Sequence, residues 1–237
     1  MQQQERYQDD FNVQFDAFSE MLGYHESQSR ESTWTRSAVK DLYVEPLDLA
    51  SRLVCGGEFA EGISMNAVYD TMSNLGLAIR VNGAFYPVRE TAYQGLIGRA
   101  KIGGTALPKL KRAELAAVLN TCLQLFRREA LVLVRDEKVS AVHSGDSVDY
   151  SILPIDELLR VLQSSLDVRF PENVFLKGYS DHSVTSAAWM FPKQREKLLA
   201  IYERMLVANG SAVDASKFVP GIRFTTSDTG VASAKVS

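Results

Sequence analysis

Three histidines are the first candidates for catalysis or metal binding, and no two of them lie at metal-ligand spacing. His143 belongs to the loop HSGDSVD, whose serines and aspartates suggest a catalytic triad or a cation site. A triad requires side chains that converge from different parts of a fold, and a calcium loop requires a longer fixed ligand pattern. Serine, glycine and aspartate at this spacing are typical of turns, and Asp181-His182 has the same interpretation. His25 lies in a polar stretch and is expected to be solvated. The sequence therefore predicts no catalytic residue, no metal site and no cofactor.

A glycine-containing basic segment from Gly98 to Arg128 is the second candidate, and its chemistry is anion binding. It has neither a Walker A loop nor a strand-borne dinucleotide-binding motif, which disfavours a nucleotide enzyme. Glycines let the backbone approach a ligand, and flanking cations can hold phosphates without selecting a base sequence. The alternative is that the glycines only form a turn, the lysines face solvent and nearby aromatic residues belong to the core. The predicted phosphate contacts are Arg80, Arg89, Arg99, Lys101, Lys109, Lys111 and Arg112, and the predicted base-stacking residues are Phe85, Tyr86 and Tyr93.

Charge is segregated along the chain, although the formal net charge is only −3. Residues 1–62 hold 12 acidic and 5 basic side chains, whereas residues 77–135 hold 10 basic and 3 acidic ones. Segregation of this kind is typical of a surface for a polyanion, or for the acidic part of another subunit. The alternative is that the acidic and basic segments pack against each other within one protomer.

Composition argues against several other classes of protein. No run of about 18 apolar residues is present, so a membrane-spanning helix is not expected. The first residues, MQQQERYQDD, lack the basic and then apolar order of a secretion signal, so we expect a cytoplasmic protein. Cys55 and Cys122 have neither a CxxC partner nor a histidine at zinc-finger spacing. Cys122 falls on the apolar side of a predicted helix, which favours a reduced, buried thiol.

An acidic helical arm followed by a linker is predicted over residues 1–57. Aromatic and leucine residues recur at helical spacing within residues 5–23, which predicts an amphipathic helix. Residues 25–36 are polar and predict the linker. Residues 39–54 are compatible with a short strand (DLYVE) followed by a turn of helix that opens at Pro46, but the pattern does not decide the matter.

Residues 58–237 are predicted to form an α+β domain with a mostly antiparallel sheet of hairpins interleaved with single helices. Asn82-Gly83 favours a type I′ turn and predicts a hairpin over residues 77–88. A second hairpin is predicted around Asp136-Glu137-Lys138. Helices are predicted to begin near Ser64, Glu90, Lys111, Pro154 and Pro192, with further strands over residues 168–170, 174–179, 184–190, 222–226 and 231–236 and a polar loop over residues 211–217.

Two fragments carry a family resemblance. The first, LIGRAKIGGTALPKLKRAELAAVLN over residues 96–120, reads as a helix, a glycine turn and a helix ending in asparagine. The second, GIRFTTSDTGVASAKVS, reads as a strand pair around the turn formed by Ser227, Asp228, Thr229 and Gly230. Both resemble a phage/plasmid-like family of unknown function from bacteriophages and other mobile elements, over residues 60–237. This resemblance implies a mobile-element setting but no settled activity.

The α+β layout is also similar in outline to phage single-strand annealing proteins, which are non-enzymatic, use a basic groove and assemble as rings or filaments. We therefore expect a non-enzymatic phage or plasmid protein that binds nucleic acid, with single-stranded DNA as its partner and annealing as its activity. A homo-oligomer is expected. Docking of the acidic arm of one copy on the basic segment of the next is one alternative for the role of that arm. The rival hypothesis is a host-interaction or anti-defence protein that presents the acidic arm to a host protein.

Overall fold

The computed structural model describes residues 5–148, 150–210 and 218–237, and these residues form seven α-helices and eleven β-strands. The predicted polar loop over residues 211–217 lies outside the described residues. The helices are α1 (Phe18–Glu31), α2 (Arg52–Gly56), α3 (Met65–Ser73), α4 (Glu90–Ala100), α5 (Arg112–Leu123), α6 (Ile155–Arg169) and α7 (Arg195–Ala208). The strands are β1 (Asn12–Phe15), β2 (Thr33–Ala38), β3 (Tyr43–Pro46), β4 (Leu77–Val81), β5 (Ala84–Pro87), β6 (Glu129–Arg135), β7 (Lys138–Ser144), β8 (Val174–Asp181), β9 (Thr185–Met190), β10 (Gly221–Thr226) and β11 (Lys235–Val236).

The strands are divided among three antiparallel sheets. One has five strands in the order β1-β8-β9-β10-β11, and the other two have the orders β2-β6-β7 and β3-β4-β5. Every pair of named strands is antiparallel. The predicted α+β class with mostly antiparallel strands is confirmed. The strands form three sheets, where a single sheet was predicted.

The N-terminal segment is woven into the fold, because it supplies one strand to each of the three sheets. β1 pairs with β8, β2 with β6 and β3 with β4. The amphipathic helix predicted over residues 5–23 is wrong, since α1 begins only at Phe18 and follows a strand. Phe11 and Phe15 are both buried and lie four residues apart, a spacing that fits either a helical stripe or one face of a strand. The structure therefore shows no free acidic arm among residues 5–57.

The predicted linker over residues 25–36 is also wrong. Its first half continues α1 to Glu31, and Thr33 begins β2. The buried positions of this helix are Met21, His25 and Gln28, at spacings of four and three residues. Two of these three buried side chains, His25 and Gln28, are polar. The apolar residues alone therefore do not show the helical periodicity of this segment.

Both predicted hairpins are confirmed. Asn82 and Gly83 have φ of 49° and 91°, as a type I′ turn requires, and Val81 pairs with Ala84. At the second hairpin Asp136 and Glu137 have φ of 48° and 67°. Two predicted strands differ: α6 continues through residue 169, where a strand was predicted, and the strand predicted over 231–236 is reduced to β11.

Three buried clusters hold these elements together. The largest lies between the two three-stranded sheets, α4 and α5, and the second lies between the five-stranded sheet, α1 and α6. The third joins α2 and α3 to β4. At the closest approach in the first cluster, a Cβ on Gly95 of α4 would lie 2.3 Å from the carbonyl oxygen of Val142 in β7. Glycine is therefore required where α4 crosses β7.

Candidate nucleic-acid interface

The seven basic residues predicted to hold phosphates do not form one track, and Arg89 departs furthest from the prediction. Its side chain is 1 % exposed, and its Nη1 lies 3.2 Å from Asp9 Oδ1 and donates to the Gln8 carbonyl at 3.0 Å. Burial lowers the pKa of Arg89 to about 10, while neighbouring carboxylates, Asp9 foremost, act to raise it. Arg89 is thus neutralised by a carboxylate of its own chain and does not reach a phosphate.

Arg112 also serves the fold. Its Nη2 donates to the carbonyls of Met72 at 2.7 Å and Asn74 at 3.0 Å, which lie at the C-terminal end of α3. A Cβ on Gly76 would lie 2.1 Å from the Arg112 Nε, so the guanidinium passes directly over that glycine. The fork of donors satisfies carbonyls that a helix end leaves without partners.

Arg80 lies on a different face from the glycine loop. It is exposed, and its guanidinium carbon lies 5.2 Å from the ring centroid of Tyr43 and 6.0 Å from that of Phe85. In β4 the neighbouring residues Ile79 and Val81 point into the core shared with α4 and α5. Because side chains alternate along a strand, the sheet separates Arg80 from α4 and α5.

The three aromatic residues predicted to stack on bases are buried to different degrees. Tyr93 is 8 % exposed and belongs to the core, so the prediction that it stacks on a base is corrected. Tyr86 is partly buried against the same core, and Phe85 is partly buried against the α2–α3 cluster. Aromatic residues in this hairpin therefore serve mainly as packing groups, as the alternative interpretation held.

The remaining basic residues are close to one another in the sequence, in and beside the loop between α4 and α5. Lys101, Lys109 and Lys111 are all exposed. Within the described residues, no carboxylate oxygen comes within 4.0 Å of any of their ammonium groups. A Cβ on Gly103 or Gly104 would meet no atom within 4 Å, so the backbone there is open to solvent. We call residues 101–111 the lysine loop.

Arg99, the fourth basic residue near this loop, sits in the last turn of α4. It is half-buried, and its Nε is enclosed without a hydrogen-bond partner in the described part of the chain. It lies near enough to His143 to contribute to lowering the pKa of that imidazole, although burial is the larger cause. Arg99 at the C-terminal end of α4 is therefore close to His143 near the end of β7.

A buried charge cluster was missed by sequence reasoning. Lys138 is 0 % exposed and lies 2.9 Å from Asp9 Oδ1, and it also forms an ion pair with Asp70. The same Asp9 oxygen accepts from Arg89, so one carboxylate serves two buried cations. The sequence Asp-Glu-Lys is typical of an exposed turn, and its pattern carries no signal that the lysine points inward.

Asp181-His182 lies at the turn between β8 and β9, whereas His143 lies in strand β7. Asp181 Oδ1 accepts from the backbone N–H groups of Ser183 at 2.7 Å and Val184 at 2.8 Å, between β8 and β9. His143 Nε2 lies 2.9 Å from the Asp228 carbonyl oxygen. Asp149 of the same loop lies outside the described residues. Among residues 5–148, 150–210 and 218–237, no group of three or more potential ligands could hold a metal ion. In the same ranges no helix is both long and apolar enough to cross a bilayer.

Comparison of the chain with protein-family models, with curated proteins and with solved structures gave no match.

Proposed function

We propose that this chain is a phage or plasmid protein that binds nucleic acid without catalysis, through phosphate contacts made by its lysine loop. The observation that supports this most directly is the group formed by Lys101, Lys109 and Lys111. All three are exposed, and none is paired with a carboxylate of the described residues. Exposed lysine ammonium groups without a carboxylate partner can bind phosphates, and such contacts do not select a base sequence.

The glycines of the loop support the same role. Gly104 has φ of 119°, a conformation that side chains with a Cβ rarely adopt, and the space beside Gly103 and Gly104 is empty. A sugar-phosphate backbone can therefore come close to the main chain between the flanking lysines. Single-stranded DNA is the proposed ligand because of the resemblance to annealing proteins.

Three lysine contacts give modest affinity. On single strands the logarithm of the binding constant falls by about 0.7 per contact for each tenfold rise in salt, so three contacts contribute a slope of about 2. Tight binding then requires several protomers on one strand. A homo-oligomer along the nucleic acid is thus part of the proposal.

The test is salt-dependent binding of a fluorescent oligothymidylate to the full chain and to two triple variants. The first variant replaces the loop lysines (Lys101→Gln, Lys109→Gln, Lys111→Gln). The control removes the same charge from exposed lysines elsewhere (Lys40→Gln, Lys177→Gln, Lys197→Gln). We expect the first to lower the salt slope by about 2 and the control to leave it unchanged within error. Equal effects of both variants, or no binding by the unmodified chain at low salt, would sink the proposal.

The rival host-interaction role receives less support from the geometry. Its acidic arm would have to be available, but Asp9 is paired inside the chain and Phe11 and Phe15 are buried. Deletion of residues 1–57 would also remove a strand from each sheet, so it would not isolate an arm.

A further inference from the structure

A cavity of about 360 Å³ opens where the two three-stranded sheets meet. Thr33 and Thr35 of β2 line it together with the turn at Asn82, the loop that leads into α3 and the turn between β6 and β7. Its volume lies within the range of roughly 300–1,000 Å³ that small-molecule sites occupy. No described residue of the lysine loop contributes to it.

Part of the lining is apolar, because two buried clusters meet at this cavity. Val81 belongs to the cluster between the sheets, and Val134 and Tyr86 pack against it. Ile63 packs against the cluster that joins α2 and α3 to β4. Contact with these four side chains would remove the apolar part of an organic ligand from water, which is favourable.

Two carboxylates give the lining a net negative charge. Glu61 is exposed, and no basic nitrogen of the described residues lies within 4.0 Å of its carboxylate. Glu137 Oε2 accepts from the Ser64 backbone N–H at 2.6 Å, and this carboxylate also has no basic partner in the described part of the chain. None of the described lining residues is basic. The lining therefore attracts a cation and repels an anion.

Hydrogen bonds fix the segments that carry these groups. The Ala60 N–H donates to the Phe85 carbonyl at 2.9 Å and holds the loop immediately before Glu61 against β5. On another side of the lining, Asn82 Nδ2 donates to Thr35 Oγ1 at 3.0 Å and joins the hairpin turn to β2. The cavity is therefore formed before a ligand binds, as small-molecule sites usually are.

We propose that this cavity binds a small organic ammonium compound, whose apolar part contacts Val81 and Val134 and whose charged group lies near Glu61 and Glu137. A cavity of about 150 Å³ holds benzene, so this larger one has room for one aromatic ring and a short ammonium-bearing chain. A bare metal ion fits less well, because the described residues contain no group of three or more potential metal ligands. The site shares no described residue with the lysine loop and does not depend on nucleic-acid binding.

The test is an NMR titration of the full ¹⁵N-labelled chain with phenethylammonium up to 10 mM at pH 7. We expect the Gly62 amide signal and the Asn82 side-chain amide signals to move, because both residues line the cavity, whereas the Gly104 amide signal of the lysine loop should stay in place. 2-Phenylethanol has a hydroxyl in place of the ammonium group, and methylammonium lacks the ring. Each should bind at least about tenfold more weakly, since each loses one of the two attractions.

Glu61→Gln is the informative variant, because Glu61 is exposed and its substitution should leave the fold intact. It should weaken phenethylammonium binding by at least about fivefold, since a neutral amide replaces a carboxylate beside the ammonium group. The matched control is Glu58→Gln, which removes the same charge from an exposed glutamate outside the described lining and should leave the affinity unchanged. The lysine-loop triple variant should bind as tightly as the unmodified chain, which separates this site from the proposed DNA contact.

Three results would overturn the proposal. One is an absence of movement at Gly62 and Asn82 up to 10 mM phenethylammonium. Another is equal affinity for phenethylammonium and 2-phenylethanol, because the two carboxylates would then have no role. The third is equal weakening by Glu61→Gln and Glu58→Gln, which would show attraction to acidic surface in general rather than to this cavity.

Discussion

Replacement of Asp9 by asparagine tests the buried charge cluster that ties the N-terminal segment to the fold. Asp9 Oδ1 accepts from Arg89 at 3.2 Å and from Lys138 at 2.9 Å, and both cations are essentially inaccessible to water. Asp9→Asn preserves the shape of the side chain but removes the charge that these two groups share. Removal of one partner from a buried ion pair typically costs about 3–5 kcal/mol, since the remaining charge is left uncompensated.

The structure places the expected loss at the lower end of that range. Lys138 keeps its ion pair with Asp70, and Arg89 keeps its hydrogen bond to the Gln8 carbonyl. We therefore expect Asp9→Asn to lower the free energy of unfolding by about 3 kcal/mol. That is a large share of a typical total of about 5–15 kcal/mol.

Urea unfolding at pH 7, followed by circular dichroism, measures this loss. Asp16→Asn is the matched control, because Asp16 is exposed and lies in the same segment, and it should change stability by less than about 0.5 kcal/mol. The deficit of Asp9→Asn should persist in 0.5 M NaCl, since buried pairs are screened far less than exposed ones. A loss below about 1 kcal/mol, or one that disappears in salt, would refute the assignment of Asp9 as the shared counter-ion.

Two further predictions concern packing and pH. Gly95→Ala should destabilise the protein by about 3 kcal/mol in urea unfolding, the upper end of the usual cost of overpacking, because its Cβ would lie 2.3 Å from the Val142 carbonyl oxygen. Gly98→Ala in the same helix places its Cβ within 4 Å of no atom, and it should be neutral or stabilise by up to about 1 kcal/mol. Equal effects would show that α4 does not contact β7 as described. Burial lowers the pKa of His25 to about 4 and that of His182 to about 3, from about 6.5 in the unfolded chain. The free energy of unfolding is therefore highest above pH 6.5, and it falls as the pH drops from 6.5 towards these two pKa values. At pH 5 the two together should cost about 4 kcal/mol relative to pH 7.5, and His182→Gln should remove about half of that difference; an unchanged difference would contradict the burial of His182.

Local chemistry allowed several elements of this fold to be predicted. A type I′ turn needs positive φ at both central residues, and asparagine and glycine tolerate this conformation. The turn predicted at Asn82-Gly83 is present. The helix over α1 was hidden because His25 and Gln28, two polar residues, occupy its buried positions. β1 was mistaken for helix because Phe11 and Phe15 satisfy both periodicities. In both cases contacts with distant parts of the chain decided the structure, since β1 pairs with β8 and α1 packs against α6. A local sequence pattern carries no information about such contacts.

The candidate site shows why charge counted along a chain differs from charge on its surface. The basic segment owes its surplus to arginines and lysines alike, but the fold uses them differently. Arg89, Arg112 and Arg135 each donate to two or more groups within the chain, and a planar fork of five donors is well suited to that task. The lysine loop keeps its three ammonium groups in solvent, where a compact and strongly hydrated charge is most stable.

Lys138 departs from this division, as the exposed Arg80 does, and it shows what an inward lysine requires. Two carboxylates, those of Asp9 and Asp70, surround its ammonium group, which is fully buried. Without both, the cost of desolvating a lysine would favour an outward side chain. No described carboxylate is placed to do the same for Lys101, Lys109 or Lys111. Their charge is therefore available to a ligand, and this distinction rather than the count of basic residues makes the lysine loop the candidate for phosphate binding.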